Sequence, residues 1–219
     1  ALRLDGTKLF VPFAPDAAVL LVAVAGPGLL AIQRGAPGVA CTRQATLGGD
    51  PLYEVRLTSA AGERVGAPDA AGPALAHALA RGGIGTLAFL VGAAERVLEM
   101  TVTHANTRAQ FGQPIGAFQA VAHRCVDMRT DLDALRYLVY QAAWSLAAGG
   151  DWTLAVAAAQ AYGADALRRF FMHAHQVHGA IGFSTEHDLH LFTRHAKAAE
   201  LQWGAAAVHH ERVAQAMGL

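Results

Sequence analysis

Charge, aromatics and cysteine are all scarce: 16% of the 219 residues are Asp, Glu, Lys or Arg, 7% are aromatic, and two are cysteine. Each shortage excludes something. Seventeen basic residues against seventeen acidic ones leave no net charge, so there is no global field to draw in nucleic acid or an anionic membrane. Cys41 and Cys125 lie far apart and form no metal-ligand or CxxC spacing. They are expected as buried free thiols in a reducing compartment, by default the cytoplasm. No run of roughly 18 uninterrupted apolar residues announces a membrane span, and no basic region followed by an apolar run opens the chain. The 53% hydrophobic content therefore points to a sizeable core.

The period of the apolar residues changes part-way along. Up to Gly66 the pattern is of short strands: VLLVAV, LLAIQ and LYEVRLT alternate or carry β-branched side chains, and AGPG, RGAPG and LGGDP separate them as turns. LRLDGTKLFVP reads as two strand-like pieces around a DGT hairpin signal. It starts as if in mid-fold, with an N-terminal portion expected elsewhere. From Pro68 onward apolar residues recur at helical spacing, as in Ile84, Leu87, Val91, Ala94 and Leu98, then Ile115, Phe118, Ala122 and Cys125. Pro114 suits a helix start, the glycines of AAGGDW suit a left-handed cap, and Asp151 suits the N-cap that follows. HGAIGFSTEHD is expected to end one helix and begin a shorter one, with Ser184 or Thr185 as cap and Glu186 or Asp188 in the first turn. A last helix is expected from Ala205 to Met217. The expected fold class is α+β: a partial small β-domain over residues 1–66, then an antiparallel four-helix bundle over residues 67–219.

Three constellations could carry chemistry. TRAQFGQPIGAFQ places Arg108 at a helix end with Gln110 and a Phe111–Gly112 turn behind it. The guanidinium offers a fork for a phosphate and Phe111 a surface for something flat; equally, the arginine could only offset a helix dipole. QVHGAIGF stops a helix on Gly179 and turns through Gly182, exposing backbone N–H groups suited to an anion, with the Gln176 amide nearby; equally, it could be a plain turn. Histidine crowds the last third of the chain, and His187 and His190 in HDLH have a spacing that can put two ligands on one face. No third ligand joins them at convincing spacing, so the histidines are expected to be structural and no metal is expected. No nucleophile elbow, Walker or Rossmann glycine pattern is present.

Together these pieces resemble the acyl-CoA dehydrogenase family of flavoproteins. TRAQFGQPIGAFQAVAHRCVDM is similar to its Arg-x-x-Phe-Gly-x-x-Ile-x-x-x-Gln junction, QVHGAIGFSTEHDLHLFTRHAK to its Gln-x-x-Gly-Gly-x-Gly-Phe segment, and the strands to about Leu57 to the second half of its middle β-domain. The resemblance covers nearly the whole chain. It implies an N-terminal helical domain, absent here, ahead of the β-domain and bundle, and FAD held between subunits. Arg108 and Gln110 would approach the FAD pyrophosphate, Phe111 the adenosine, with Gln119 nearby, while Gln176, Gly179 and Gly182 would form the other side of the cradle.

The resemblance also implies a carboxylate that takes the α-proton of an acyl thioester while the β-carbon gives a hydride to the flavin. At the family's usual position for that glutamate stands Trp203, and at its alternative position, counted back from Arg108, stands Gly82. Glu200 lies three residues early. Phe10-Val11-Pro12 replaces the strand that lies against the flavin ring, and Pro12 has no N–H to donate. No catalytic residue is therefore assigned.

These departures resemble the non-catalytic subunit of heteromeric α2β2 actinobacterial acyl-CoA or sterol-CoA dehydrogenases. The implied partners are a catalytic subunit, an acyl-CoA substrate and an electron-transfer flavoprotein as acceptor. Two other readings stay open: an active homomer using Glu200 or another displaced carboxylate, and a flavin-free helical scaffold.

Overall fold

The computed structural model describes residues 2–25, 28–67 and 70–219. The centre of the AGPG turn and Pro68, where helical periodicity was expected to begin, lie outside them. The chain divides into two compact units, Ala1–Leu79 and Ala80–Leu219.

Five antiparallel strands build the first unit: β1 (Leu2–Pro12), β2 (Val19–Val24), β3 (Gly28–Gln33), β4 (Val39–Arg43) and β5 (Leu52–Arg64). The order is β1-β5-β3-β2, with β4 also on β5. β5 is the hub, pairing β1 from Leu2↔Gly62 to Pro12↔Leu52 and reaching β3 at Leu30↔Arg64. β1 is one strand and not the expected hairpin. Register shifts between Leu4 and Gly6 and between Lys8 and Val11 absorb the irregularity, so the DGT signal marks a bulge rather than a reversal. Inward residues Leu4, Leu20, Val22, Leu30, Ile32, Val55 and Leu57 form the core, on the alternation that strand geometry imposes.

Helices follow: α1 (Ala71–Thr107), α2 (Gln119–Ala148), α3 (Thr153–His178), α4 (Leu189–Trp203) and α5 (Ala206–Ala216). By length and composition α1 could cross a bilayer. Its Ile84, Leu87, Val91, Ala94 and Leu98 are instead buried in the bundle core with Leu132, Leu135, Val139, Phe170 and Phe171. Each such side chain contributes roughly 1.5–3 kcal/mol on leaving water. Polar clamps fix the helices against one another. Asp131 on α2 accepts from the Tyr162 hydroxyl (3.0 Å) and the Arg169 guanidinium (2.8 Å) of α3, and Arg136 of α2 donates to Glu95 of α1 (2.9 Å).

The caps differ in part from expectation. Gly149 ends α2 at φ 76°, ψ 15°, and the Asp151 carboxylate accepts from the Thr153 N–H at 2.9 Å. Before α4, however, Ser184 accepts from the Glu186 N–H in a local turn (3.2 Å), and the helix begins at Leu189, whose N–H donates to His187 Nδ1 (3.2 Å). A histidine has taken the capping role, and neither Glu186 nor Asp188 falls inside the helix. Both cysteines are free and half-buried, more accessible than expected, and burial pushes the Cys125 thiol up.

Candidate functional site

The two glycine-containing motifs, Arg108–Gly112 and Gln176–Gly182, meet at one end of the helical unit. The contact is made by His104 in the last turn of α1 and His178 at the end of α3, whose rings stack at 4.7 Å. Arg108 follows His104 by one turn, and Gly179 follows His178 directly.

After Arg108 the chain forms a tight hairpin, β6 (Ala109–Gln110) and β7 (Gln113–Pro114). Its central residues Phe111 and Gly112 have φ of 54° and 81°. Two successive positive φ values are what a type I′ turn demands, and a phenylalanine accepts one only at a cost of about 1–2 kcal/mol. The side chain gains little burial in return: Phe111 is 92% exposed, its ring edge-on to Phe118 with centroids 6.0 Å apart. An aromatic ring held outward in a strained turn is a presented surface. The exposed Arg108 guanidinium makes no hydrogen bond or ion pair with the described residues. Gln110 donates to the Ala109 carbonyl (2.8 Å), and Gln119 lies exposed in the first turn of α2.

On the other motif, α3 stops at Gly179 with φ 65°, ψ −142°, a region essentially reserved for glycine. Nothing lies within 4 Å of where its Cβ would be. Gly182 is different. It is buried in a short 3₁₀ turn (Gly179–Phe183), and a Cβ there would meet Leu189, His175 Nδ1 and His178 at 3.0–3.2 Å. Its lack of a side chain lets the turn pack on its own chain. Gln176 is exposed one turn before.

Histidines underlie this end. His178 stacks on His104 and meets His187 edge-on at 4.9 Å, while His175 stacks on Phe183 at 4.4 Å and shares a hydrogen with Thr193 Oγ1 at 2.8 Å. Burial lowers the pKa of His104, His175 and His178, reinforced at His104 by Arg108 and at all three by His187. The rings are therefore held neutral. Among the described residues no group of three or more His, Cys, Asp or Glu is arranged to hold a metal ion. His104 was missed in the sequence because its partners are more than a domain-length of helix away.

A second locus lies between α1, α3 and α4, around a cavity of about 540 Å³ lined by Gly83, Leu87, Gln160, Phe171, Glu200 and Trp203 among others. Here Trp203 and Gly82, distant in sequence, come together. A Cβ on Gly82 would stand 2.5 Å from Trp203 Cη2, so the indole occupies the space that a Gly82 side chain would need. Gly83 gives way likewise to the Gln160 amide. Glu200 also lines the cavity, but its carboxylate is paired with Lys197 Nζ at 2.9 Å.

Bundle, outward Arg–Phe hairpin and glycine turn define the class: an acyl-CoA dehydrogenase C-terminal domain. The model of that domain matches residues 72–218, and the chain belongs to the acyl-CoA dehydrogenase family. Among curated relatives, acyl-CoA dehydrogenase FadE27 of Mycobacterium tuberculosis is 35% identical over 221 residues, covering 93% of this chain and 57% of that protein. The chain thus spans just over half the length of this relative. Among solved structures, the ChsE4–ChsE5 complex from Mycobacterium tuberculosis superposes with a TM-score of 0.89 at 33% identity, over 99% of this chain and 60% of the matched one. PigA with FAD and proline superposes with a TM-score of 0.91 at 25% identity, over 99% and 60%.

Proposed function

We propose that this chain is a subunit of an FAD-dependent acyl-CoA dehydrogenase that lends cofactor contacts to a partner and carries no proton-abstracting carboxylate of its own. The observation that carries the reading is the packing of Trp203 on Gly82. By family resemblance these are the two positions from which a glutamate would reach the substrate α-carbon. One holds an indole, which cannot accept a proton, and the other has no side chain. The indole also fills the space that a side chain at Gly82 would need.

The residues at the bundle end suit a dinucleotide. Arg108 offers an unengaged guanidinium fork, the charge-assisted donor that pyrophosphate favours. Gln176 adds an amide, Gly179 leaves its surroundings open, and Phe111 offers an exposed ring for an adenine. Arg108, Gln110, Phe111 and Gln176 are exposed, which suits completing a site on another chain. FAD, when bound, would supply the acceptor for the hydride leaving the acyl β-carbon. The likeness to a ChsE4–ChsE5 complex and to FAD-bound PigA supports both the unlike partner and the cofactor.

The reading is tested by co-expression with a catalytic acyl-CoA dehydrogenase subunit and measurement of subunit ratio and flavin absorbance. One flavin per unlike pair is expected, with flavin content falling in Arg108→Ala. The chain alone, purified with its own flavin and dehydrogenating an acyl-CoA at a rate of the order of 1–10 per second, would overturn it. Loss of that activity in Glu200→Gln with flavin retained would then identify Glu200 as the base.

A further inference from the structure

The hydrogen bonds of the histidines at the end of the bundle leave no place for a second proton. His178 Nδ1 lies 2.9 Å from the Ala174 carbonyl and must donate to it. Nε2 therefore carries the lone pair, and that atom is buried without a partner among the described residues. A proton added there becomes a buried N–H with no acceptor. His187 Nδ1 accepts from the Leu189 N–H at 3.2 Å, so a proton added to it cancels the bond that starts α4. His175, one turn earlier on α3, follows the same rule. Thr193 Oγ1 donates to the Leu189 carbonyl (3.1 Å) and accepts from His175 Nε2 (2.8 Å), which leaves His175 Nδ1 buried and unpartnered.

The surroundings offer a new charge no counter-charge. His178 faces His104 of α1 at 4.7 Å, His187 of the connection to α4 at 4.9 Å, and His175 of its own helix. Arg108 adds a fixed positive charge beside His104. The turn Gly179–Phe183 carries no titratable side chain, and α4 presents Leu189 to Gly182 and Thr193 to His175. The histidines that do face a carboxylate are others, His173 with Asp127 and His210 with Asp165. Charged rings at this separation repel, and stacking cannot hold them. The joint they hold is narrow. Among the described residues no hydrogen bond or ion pair joins the last turn of α1 to α3, and the His104–His178 stack is the ring contact that does. The hairpin is tied to that turn, because the Arg108 N–H donates to the His104 carbonyl (2.9 Å) and the Ile115 N–H to the Arg108 carbonyl (2.8 Å).

We propose that the cluster of His104, His178 and His187 is a proton-operated latch: charging its rings parts the last turn of α1, with Arg108, from the glycine turn after α3, while the rest of the bundle stays folded. Local opening of this kind needs less free energy than global unfolding and precedes it. On the subunit reading the parted groups are the two sides of the cofactor cradle. The latch itself needs only the packing of this chain, so its test uses no flavin and no partner.

Hydrogen exchange of the full chain, corrected for the intrinsic effect of pH, is compared at pH 7.5 and pH 5.5, either side of the ordinary imidazole value of 6.5. A ring that takes its proton only in the open form favours that form by about tenfold over this range. Protection of residues 101–108 and 182–193 should therefore fall at least about tenfold, while residues 90–98 in the core of α1 stay within about twofold. His178→Phe keeps a ring in the stack and takes no proton, and should hold residues 101–108 within about threefold. His187→Asn keeps a cap for α4 without titrating, and should do the same for residues 182–193. In histidine nitrogen NMR the His178 ring should be the Nδ1–H form at the higher pH and titrate with the midpoint of the lost protection. The proposal is overturned if protection at the bundle end does not fall, if the core loses protection equally, or if either variant keeps the tenfold response. Should His178→Phe not fold, the ring titration of the wild-type chain decides, and a charged His178 with protection intact overturns the latch.

Discussion

At Gly82 two opposing effects of comparable size can be separated by substitution. Alanine in a helix interior is favoured over glycine by about 1 kcal/mol, whereas a Cβ here meets the Trp203 ring at 2.5 Å, and overpacking costs about 1–3 kcal/mol. Gly82→Ala is expected to lower the urea midpoint in the wild-type background and to raise it when Trp203 is alanine. That change of sign in a double-mutant cycle measures the indole's hold on the position. The histidines give a second residue-scale prediction. The folded pKa values of His104, His175 and His178 are lowered from 6.5, so below that value the unfolded chain binds more protons than the folded one. Their contribution to stability is complete above pH 6.5 and is lost as pH falls through the folded values. Urea midpoints should therefore drop between pH 7.5 and 5.5, and His178→Gln should flatten the drop. Stripe residues such as Ile84, Leu87 and Val91 were legible from spacing and are buried. The capping role of His187 was not, because its ring acts on a backbone N–H that no side-chain pattern reports.

Among the elements, the glycine turn and the hairpin carry the site, and both depend on positive φ. Gly179→Ala forces a side chain into φ 65°, ψ −142°, at an expected cost of about 1–3 kcal/mol. Gly149→Ala at the left-handed end of α2 (φ 76°) should cost less, about 1 kcal/mol. Chemical denaturation of the two variants should rank them in that order; equal losses would show that the turn after α3 relaxes freely. The long helices and the final one were legible because periodicity and punctuation agreed. β1 was not. A glycine after an aspartate signals a reversal in isolation, and only the length of β5 on its other side decides that the strand runs straight through a bulge.

For the whole molecule, one helix face stands out, on α2. Tyr137, Tyr140 and Trp144 are 71%, 63% and 71% exposed at spacings that put them on one face of the helix. Aromatic residues gathered on a surface mark interaction sites. Under the subunit reading, Tyr140→Asp with Trp144→Lys should leave the secondary structure unchanged by circular dichroism and reduce assembly with the partner, as read by light scattering. An assembly of unaltered mass would remove α2 from the interface.

By itself the sequence determined the elements, because hydrophobic period, glycine and proline act within a few residues of where they stand. It also determined the family, because the Arg108 and Gln176 motifs are contiguous strings in a fixed order. Only the tertiary structure decided what those strings meet. It stacked His104 on His178 so that both motifs share one end of the bundle. It laid Trp203 across Gly82. Such contacts join helices through packing between residues far apart in the chain, and no local pattern encodes them.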